Sequence, residues 1–238
     1  MKNEINAIKT NNKDDLYYKI MIIGASKVGK TQILKRFCKD NFEENYFPTF
    51  GMDFRVQKYF FENFTTTVQI IDVSGKNAPP KDLLRPYILD SDCFICVYDI
   101  SQRDSVVELN SIISDYEKII NNNNNNNDNN NNNNKNQCWY FVGNKNETIN
   151  RECSNNPADI FEYTPLGTIG FIEVSAKENK FIENMFNNAI FQIRNVKRRI
   201  VFDNPLFNYS AKAPIIKDKN EDKQNNDNPE KNSKCIFF

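Results

Sequence analysis

The stretch "GASKVGKT", residues 24–31, constrains this chain more than any other, because the apolar run "KIMII" leads straight into it and "QILKRFCKD" follows. A strand, a glycine-spaced loop and a helix in that order give the pattern GxxxxGK[ST] the context it requires. Gly24 and Gly29 let the backbone curl so that its N–H groups point inward at phosphate oxygens, and the next helix adds its positive N-terminal end. Ala25, Ser26, Lys27 and Val28 complete the expected phosphate cradle. Lys30 is expected to reach the β- and γ-phosphates, and Thr31 to offer its hydroxyl to Mg²⁺. A second apolar run, "VQIID", ends on Asp72. Alone, that carboxylate is as good a turn residue as a ligand. Beside a phosphate loop it is expected to hold Mg²⁺, directly or through water.

The rest of the chain alternates strands and helices. "LYYKIMII" reads as a strand and "TQILKRFCKD" as a helix; "FRVQKYFF" and "TTTVQIID" flank a short connection as in a hairpin. "CFICVYDI", "CWYFVGN" and "GFIEVS" read as three further strands. In "RDSVVELNSIISDYEKII" apolar residues fall at 106, 109, 113, 116 and 120, and in the last long segment at 182, 186, 189, 193 and 196, both the spacing of a helix with one buried face. "NPADIFEY" reads as a short helix capped by Asn156 with Pro157 in its first turn. The expected fold is α/β, a mostly parallel six-stranded sheet with helices on both faces, with ligands at the carboxyl ends of the strands. It spans residues 15–202. The polar residues 1–14 and 203–238 are expected to lie outside it as unstructured extensions. Residues 121–134, asparagine broken only by Asp128, read as a low-complexity insertion, either inert or self-associating.

Composition removes several functions. Histidine is absent, so His-based acid/base chemistry and His metal sites are excluded. Lysine plus arginine balance acidic residues, 31 against 31, which gives no basic field for nucleic acid. Six cysteines lack the spacing of a disulfide framework, and Cys93 and Cys96 read as small core residues. The first residues have no apolar core for a secretory signal and no second-position glycine for myristoylation. These features point to a reduced, intracellular globular protein.

Taken with "VGNKNE", "EVSAK", "DVSG" and Thr49, the phosphate loop resembles the Ras superfamily of small GTPases, and "NYFPTFGMDF" is most similar to its Rab branch. The likeness covers about residues 16–200. It implies the small-G-domain version of the phosphate-loop NTPase fold, GTP/GDP as bound nucleotide and Mg²⁺ as cofactor. By the same resemblance Thr49 coordinates Mg²⁺ when a γ-phosphate is present, and the Gly75 N–H touches that phosphate. Phe42, unless it is simply a core residue, lies against the guanine edge, with the Lys145 stem on the base's other side. Asn144 braces the pocket, and Ser175 and Lys177 support Ala176, whose N–H meets the guanine carbonyl. Tyr46, Phe47, Pro48, Thr49, Phe50, Gly51, Met52, Asp53 and Phe54 form the effector region. Implied partners are effectors, exchange and GTPase-activating factors, a prenyltransferase and a lipid-solubilising carrier, around a monomer acting in vesicle trafficking. A phosphate-loop kinase has no use for "NKNE" and "SAK" at these positions.

Several positions depart from the family pattern. Lys76 stands where a glutamine aligns the attacking water, a task that needs an acceptor, and an ammonium only donates. Very slow turnover is expected, and the rival reading is an interaction protein that binds nucleotide with little or no GTPase activity. Glu147 replaces the aspartate that reads guanine and sits one methylene farther out, so reduced selectivity is an open alternative. Lys27 replaces a small loop residue. Prolines at 79, 80 and 86 restrict the second switch, and Ile71 in place of tryptophan is expected to alter the surface that partners read. The ending "KCIFF" resembles a C-a-a-X prenylation signal at Cys235, with a geranylgeranyl group. From Lys212 to Lys234 there are six lysines and five acidic residues, so the tail is not polybasic. The implied location is the cytoplasmic face of a membrane, lipid-anchored, with a cytosolic pool. Arg194, Lys197, Arg198 and Arg199 are expected to complement the last helix's C-terminus.

Overall fold

A computed structural model describes residues 16–40, 42–43, 47–61, 64–125, 137–154, 160–161 and 164–201. Six strands form one sheet: β1 (Leu16–Ile23), β2 (Met52–Phe61), β3 (Phe64–Val73), β4 (Cys93–Asp99), β5 (Cys138–Asn144) and β6 (Thr168–Glu173). Among the described residues there are four helices, α1 (Lys30–Phe37), α2 (Lys81–Asp90), α3 (Arg103–Asn125) and α4 (Ile182–Val201). The sheet order is β2-β3-β1-β4-β5-β6. Only β2 and β3 pair antiparallel, with Phe61 opposite Phe64, while β1 pairs parallel with both β3 and β4. The expected hairpin and parallel sheet are therefore present. The phosphate loop and Asp72 end on neighbouring strands because Ile22 is in register with Asp72.

Alternation along the strands divides the interior into two cores. Tyr18, Ile20 and Ile22 of β1, with Ile95, Val97, Tyr140 and Val142, face α1 and α4. Met21 and Ile23, with Phe94, Cys96, Trp139 and Phe141, face α2 and α3. Successive side chains on a strand point to opposite faces, so a sheet covered on both sides needs apolar residues at every position. This is why β4 and β5 are buried throughout. The helices answer with the expected faces: Val106, Leu109, Ile113 and Tyr116 of α3, and Ile182, Phe186, Ala189 and Ile193 of α4, are all buried. Cys93 and Cys96 are both core residues with free thiols, as expected.

The second-switch prolines, expected to restrict that region, fall at a helix: Pro80 is the N-cap of α2 and Pro86 lies inside it. Three sequence expectations change. The asparagine run does not begin as an insertion: α3 continues through Asn125, and the run's remainder lies outside the described residues. Ile71 is not a surface residue, being 1% exposed and packed in the core with Leu84 and Ile88. Arg194 is buried, and Lys197 pairs with buried Asp92 at 2.7 Å and covers the Tyr18 ring, so both dock α4 onto the body rather than serving its end. The side chains of Arg198 and Arg199, most of the expected helix at 156–163, both terminal extensions and Cys235 lie outside the described residues.

A candidate nucleotide site at the carboxyl ends of the strands

The loop after β1 owes its shape to its glycines. Gly24 has φ +145°, and a Cβ there would stand 2.1 Å from the Val97 carbonyl oxygen. Gly29, at φ +97°, would drive a Cβ to 2.2 Å from Asn144 Nδ2. Such backbone angles favour glycine. Lys27 adopts φ +65° and is exposed at the rim of the cleft. The loop curls over Lys30, which is 6% exposed and donates to the Gly24 carbonyl at 2.8 Å and the Ala25 carbonyl at 2.7 Å. Burial lowers the Lys30 pKa to about 8, opposed by the charge of Asp72. A buried ammonium with only carbonyl partners is poised to gain from an anion.

Asp72 stands opposite, fully buried. Its Oδ2 accepts from Thr31 Oγ1 at 2.5 Å, and Thr31 Oγ1 lies 2.8 Å from Thr49 Oγ1. Its Oδ1 is buried without a hydrogen-bond partner. Burial pushes the carboxyl above its usual range, partly offset by the Thr31 hydrogen bond and by Lys30. A divalent cation would reverse that, and the donors fit Mg²⁺: one carboxylate and two hydroxyls, all hard oxygens, with phosphate and water to supply the rest. Among the described residues there is no cluster of three or more acidic, Cys or His ligands, so no all-protein metal cage competes with this reading.

Two connections meet at this point. Gly75 presses against the phosphate loop so closely that a Cβ would fall 2.5 Å from the Ser26 nitrogen. The Ser74 N–H donates to the Gly51 carbonyl, and the Gly51 N–H to the Asn77 carbonyl, both at 3.0 Å, stitching the segment carrying Thr49 to the segment carrying Gly75. Lys76 is exposed and is not among the residues lining the cleft, which include its neighbours Ser74 and Gly75. Phe47 and Phe50 of the expected effector region are 70% and 77% exposed with Pro48 between them, and Phe54 packs its ring 5.7 Å from Tyr87 of α2. Met52 and Asp53 begin β2 behind them; Tyr46 lies outside the described residues.

The other end of the cleft is organised by Asn144. Its Nδ2 donates to the Val28 carbonyl at 2.8 Å, and its Oδ1 accepts from the Ala176 N–H at 3.1 Å. It thus joins the phosphate loop to the loop after β6. The Ala176 N–H, expected to face the base, is here engaged with Asn144. Ser175 is buried and its hydroxyl accepts from the Glu178 N–H, closing the turn that carries Lys177. Lys145 pairs with buried Asp99 at 2.5 Å, a partner sequence reasoning missed. Glu147 lines the cleft, and its Oε2 is buried with no hydrogen-bond partner. Phe42 both lines the cleft and packs on the α1–α4 core, so its two readings are compatible. Phosphate end and base end are continuous in one cleft of about 330 Å³, within the usual size range for a small-ligand pocket.

A mostly parallel sheet with a phosphate-cradling loop after β1, oxygen groups from the end of β3, the start of α1 and the segment before β2, and a braced base end after β5 and β6 defines a phosphate-loop nucleotide-binding protein. This chain belongs to the Ras family, a model of which matches residues 19–195. It is 29% identical over 189 residues to the GTP-binding protein drn-1 of Caenorhabditis elegans, covering 79% of this chain and 80% of that one. It is 25% identical over 201 residues to the GTP-binding protein ypt1 of Schizosaccharomyces pombe, covering 84% and 90%. With the Ras-related protein Rab-1D of Dictyostelium discoideum the identity is 28% over 187 residues, covering 78% and 82%. The chain is therefore a small GTPase of the Ras family related to Rab proteins, and the ligand implied for the cleft is a guanine nucleotide. Proteins of this family typically bind regulators and effectors. No helix among the described residues is long and apolar enough to cross a membrane.

Replacing Asn144 with alanine leaves the Val28 carbonyl and the Ala176 N–H buried without partners, at about 1–3 kcal/mol for each. The expected result is a lower thermal midpoint together with faster nucleotide loss, read by differential scanning fluorimetry and by release of a labelled nucleotide. An unchanged midpoint would show that Asn144 does not brace the loops.

Proposed function

We propose that this protein is a Rab-like switch that binds GTP and GDP with Mg²⁺, hydrolyses GTP very slowly, and works at a membrane in vesicle trafficking. The observation that carries the switch is the convergence of Thr49 and Gly75, from two separate connections, on the point where Thr31 and Asp72 offer oxygen. Lys30 would exchange its carbonyl partners for phosphate oxygens. Mg²⁺ would supply charge neutralisation between the phosphates, held by Thr31, Thr49 and Asp72. Thr49 and the Gly75 N–H sense whether a third phosphate is present. Loss of that phosphate frees both connections, and with them the Phe47–Phe50 surface that effectors would read.

Lys76 supports the slow-hydrolysis part. It replaces an acceptor with a donor and is exposed, not among the residues lining the cleft. The same observation favours a second reading, a nucleotide-dependent interaction protein that scarcely turns over. Single-turnover assays on preloaded protein test the slow turnover that both readings share: Lys76→Gln is expected to speed GTP hydrolysis by about tenfold or more, equivalent to ~1.4 kcal/mol of transition-state stabilisation. Brisk hydrolysis by the unaltered protein, at a rate that Lys76→Gln leaves alone, would contradict slow turnover.

Membrane residence is proposed from Cys235 and its "CIFF" context, as a single prenyl group whose hold is reversible without a second signal. Cys235→Ser is expected to move the protein from the membrane fraction to the cytosol of the expressing cell. Unaltered fractionation would remove the lipid from the account.

A further inference from the structure

Helix α1 does more than follow the phosphate loop. Gln32 in its first turn and Lys35 and Arg36 in its last lie beside the base end of the cleft. The Gln32 amide accepts from the Glu43 N–H at 3.2 Å and donates to the Glu43 carbonyl at 3.1 Å, while Lys35 pairs with the Glu43 carboxylate at 2.7 Å. Arg36 reaches across 140 residues of sequence: its Nε donates to the Ala176 carbonyl at 2.8 Å and its Nη2 to the Lys177 carbonyl at 2.9 Å. Its guanidinium also lies over the Phe42 ring, 5.3 Å from the centroid. Phe42, Ala176 and Lys177 all line the cleft. Arg36 stands behind them and holds both walls of the base end at once.

We infer that Arg36 is a positioning residue that sets how long nucleotide stays bound, by holding Phe42 on one side and the 176–177 loop on the other. The inference rests on the reading that this cleft takes a guanine nucleotide. The argument is geometric. A guanidinium is planar, so one face can meet an aromatic ring while its edge forks to two carbonyls, a combination that an ammonium cannot reproduce. Both carbonyls belong to the turn that Asn144 and Ser175 build, so Arg36 fixes that turn's outer side as Asn144 fixes its inner side. Gln32 and Lys35 hold residue 43, which keeps Phe42 within Arg36's reach. Opening the base end therefore requires this set of contacts to break together, and α1, anchored through Ile33, Leu34 and Phe37 in the core, is the rigid part against which it opens.

The test follows release of N-methylanthraniloyl-GDP from full-length, Mg²⁺-loaded protein into excess unlabelled GDP. Arg36→Ala is expected to speed release by about tenfold or more, the scale of losing charge-assisted hydrogen bonds. Arg36→Lys, which keeps a cation but not the fork, is expected to fall between, and it carries the test should the alanine variant fold poorly. In a Phe42→Ala background the effect of Arg36→Ala is expected to shrink, because one of the two walls it holds has gone. A purely structural arginine would act equally in both backgrounds. Unchanged release in Arg36→Ala, or the same fold-change with and without Phe42, overturns the inference. Failure of the unaltered protein to take up the labelled nucleotide would instead overturn the reading of the cleft, and the inference with it.

Discussion

The meeting of Lys30 and Asp72 at the rim of the sheet is the constraint around which the rest is arranged. Two ionisable groups are taken out of water there, and neither is fully answered by the protein. The ammonium has only carbonyls, and one carboxylate oxygen has no partner at all. Buried charge left this way costs several kcal/mol unless something else joins it. A phosphate for the lysine and a divalent cation for the aspartate would complete the arrangement, each satisfying a group that folding alone leaves short. The parallel pairing of β1 with β3 makes this possible, since it brings the loop after one strand beside the last residues of the other.

The base end is organised on a different principle. It has few buried charges facing the ligand and relies instead on hydrogen bonds that tie loops to loops. Asn144 links the phosphate loop to the turn after β6, Arg36 ties that turn back to α1, and Asp99 takes up Lys145. The groups left for a base are then the Glu147 carboxylate, with its unpartnered oxygen, and the apolar sides of Phe42 and Lys145. An acceptor at Glu147 is what the N–H edge of guanine requires.

Much of this was readable from residue order because the signals are local. Strand, glycine loop and helix are contiguous, and the same is true of "VQIID" with its terminal aspartate. The two-faced core was legible because β4 and β5 are apolar along their length until their last residues, Asp99 and Asn144, which a doubly covered sheet explains. What escaped was long-range or negative. Nothing in "QILKRF" tells that Arg36 bonds to carbonyls 140 residues away. Asparagines that composition alone assigns to an insertion are carried into helix by the α3 turns that precede them. Ile71 was misplaced because a family comparison says which residue is usual at a position, not how a smaller one packs once α2 closes over it. Pro86 inside α2 costs one helical hydrogen bond, and burial of Leu84 and Ile88 on the same helix offsets it.

On the proposed reading the site is a nucleotide cradle first and a catalyst second: the groups proposed to bind phosphate and metal stand together, while Lys76, where the family pattern has the water-aligning glutamine, carries a cation. The central claim is therefore about binding. Calorimetric titration of GDP into protein stripped of nucleotide with chelator, with Mg²⁺ present and then without it, tests it most directly. A saturating one-to-one heat that weakens sharply without Mg²⁺ is the predicted result; no heat from a folded sample in either condition would contradict the account.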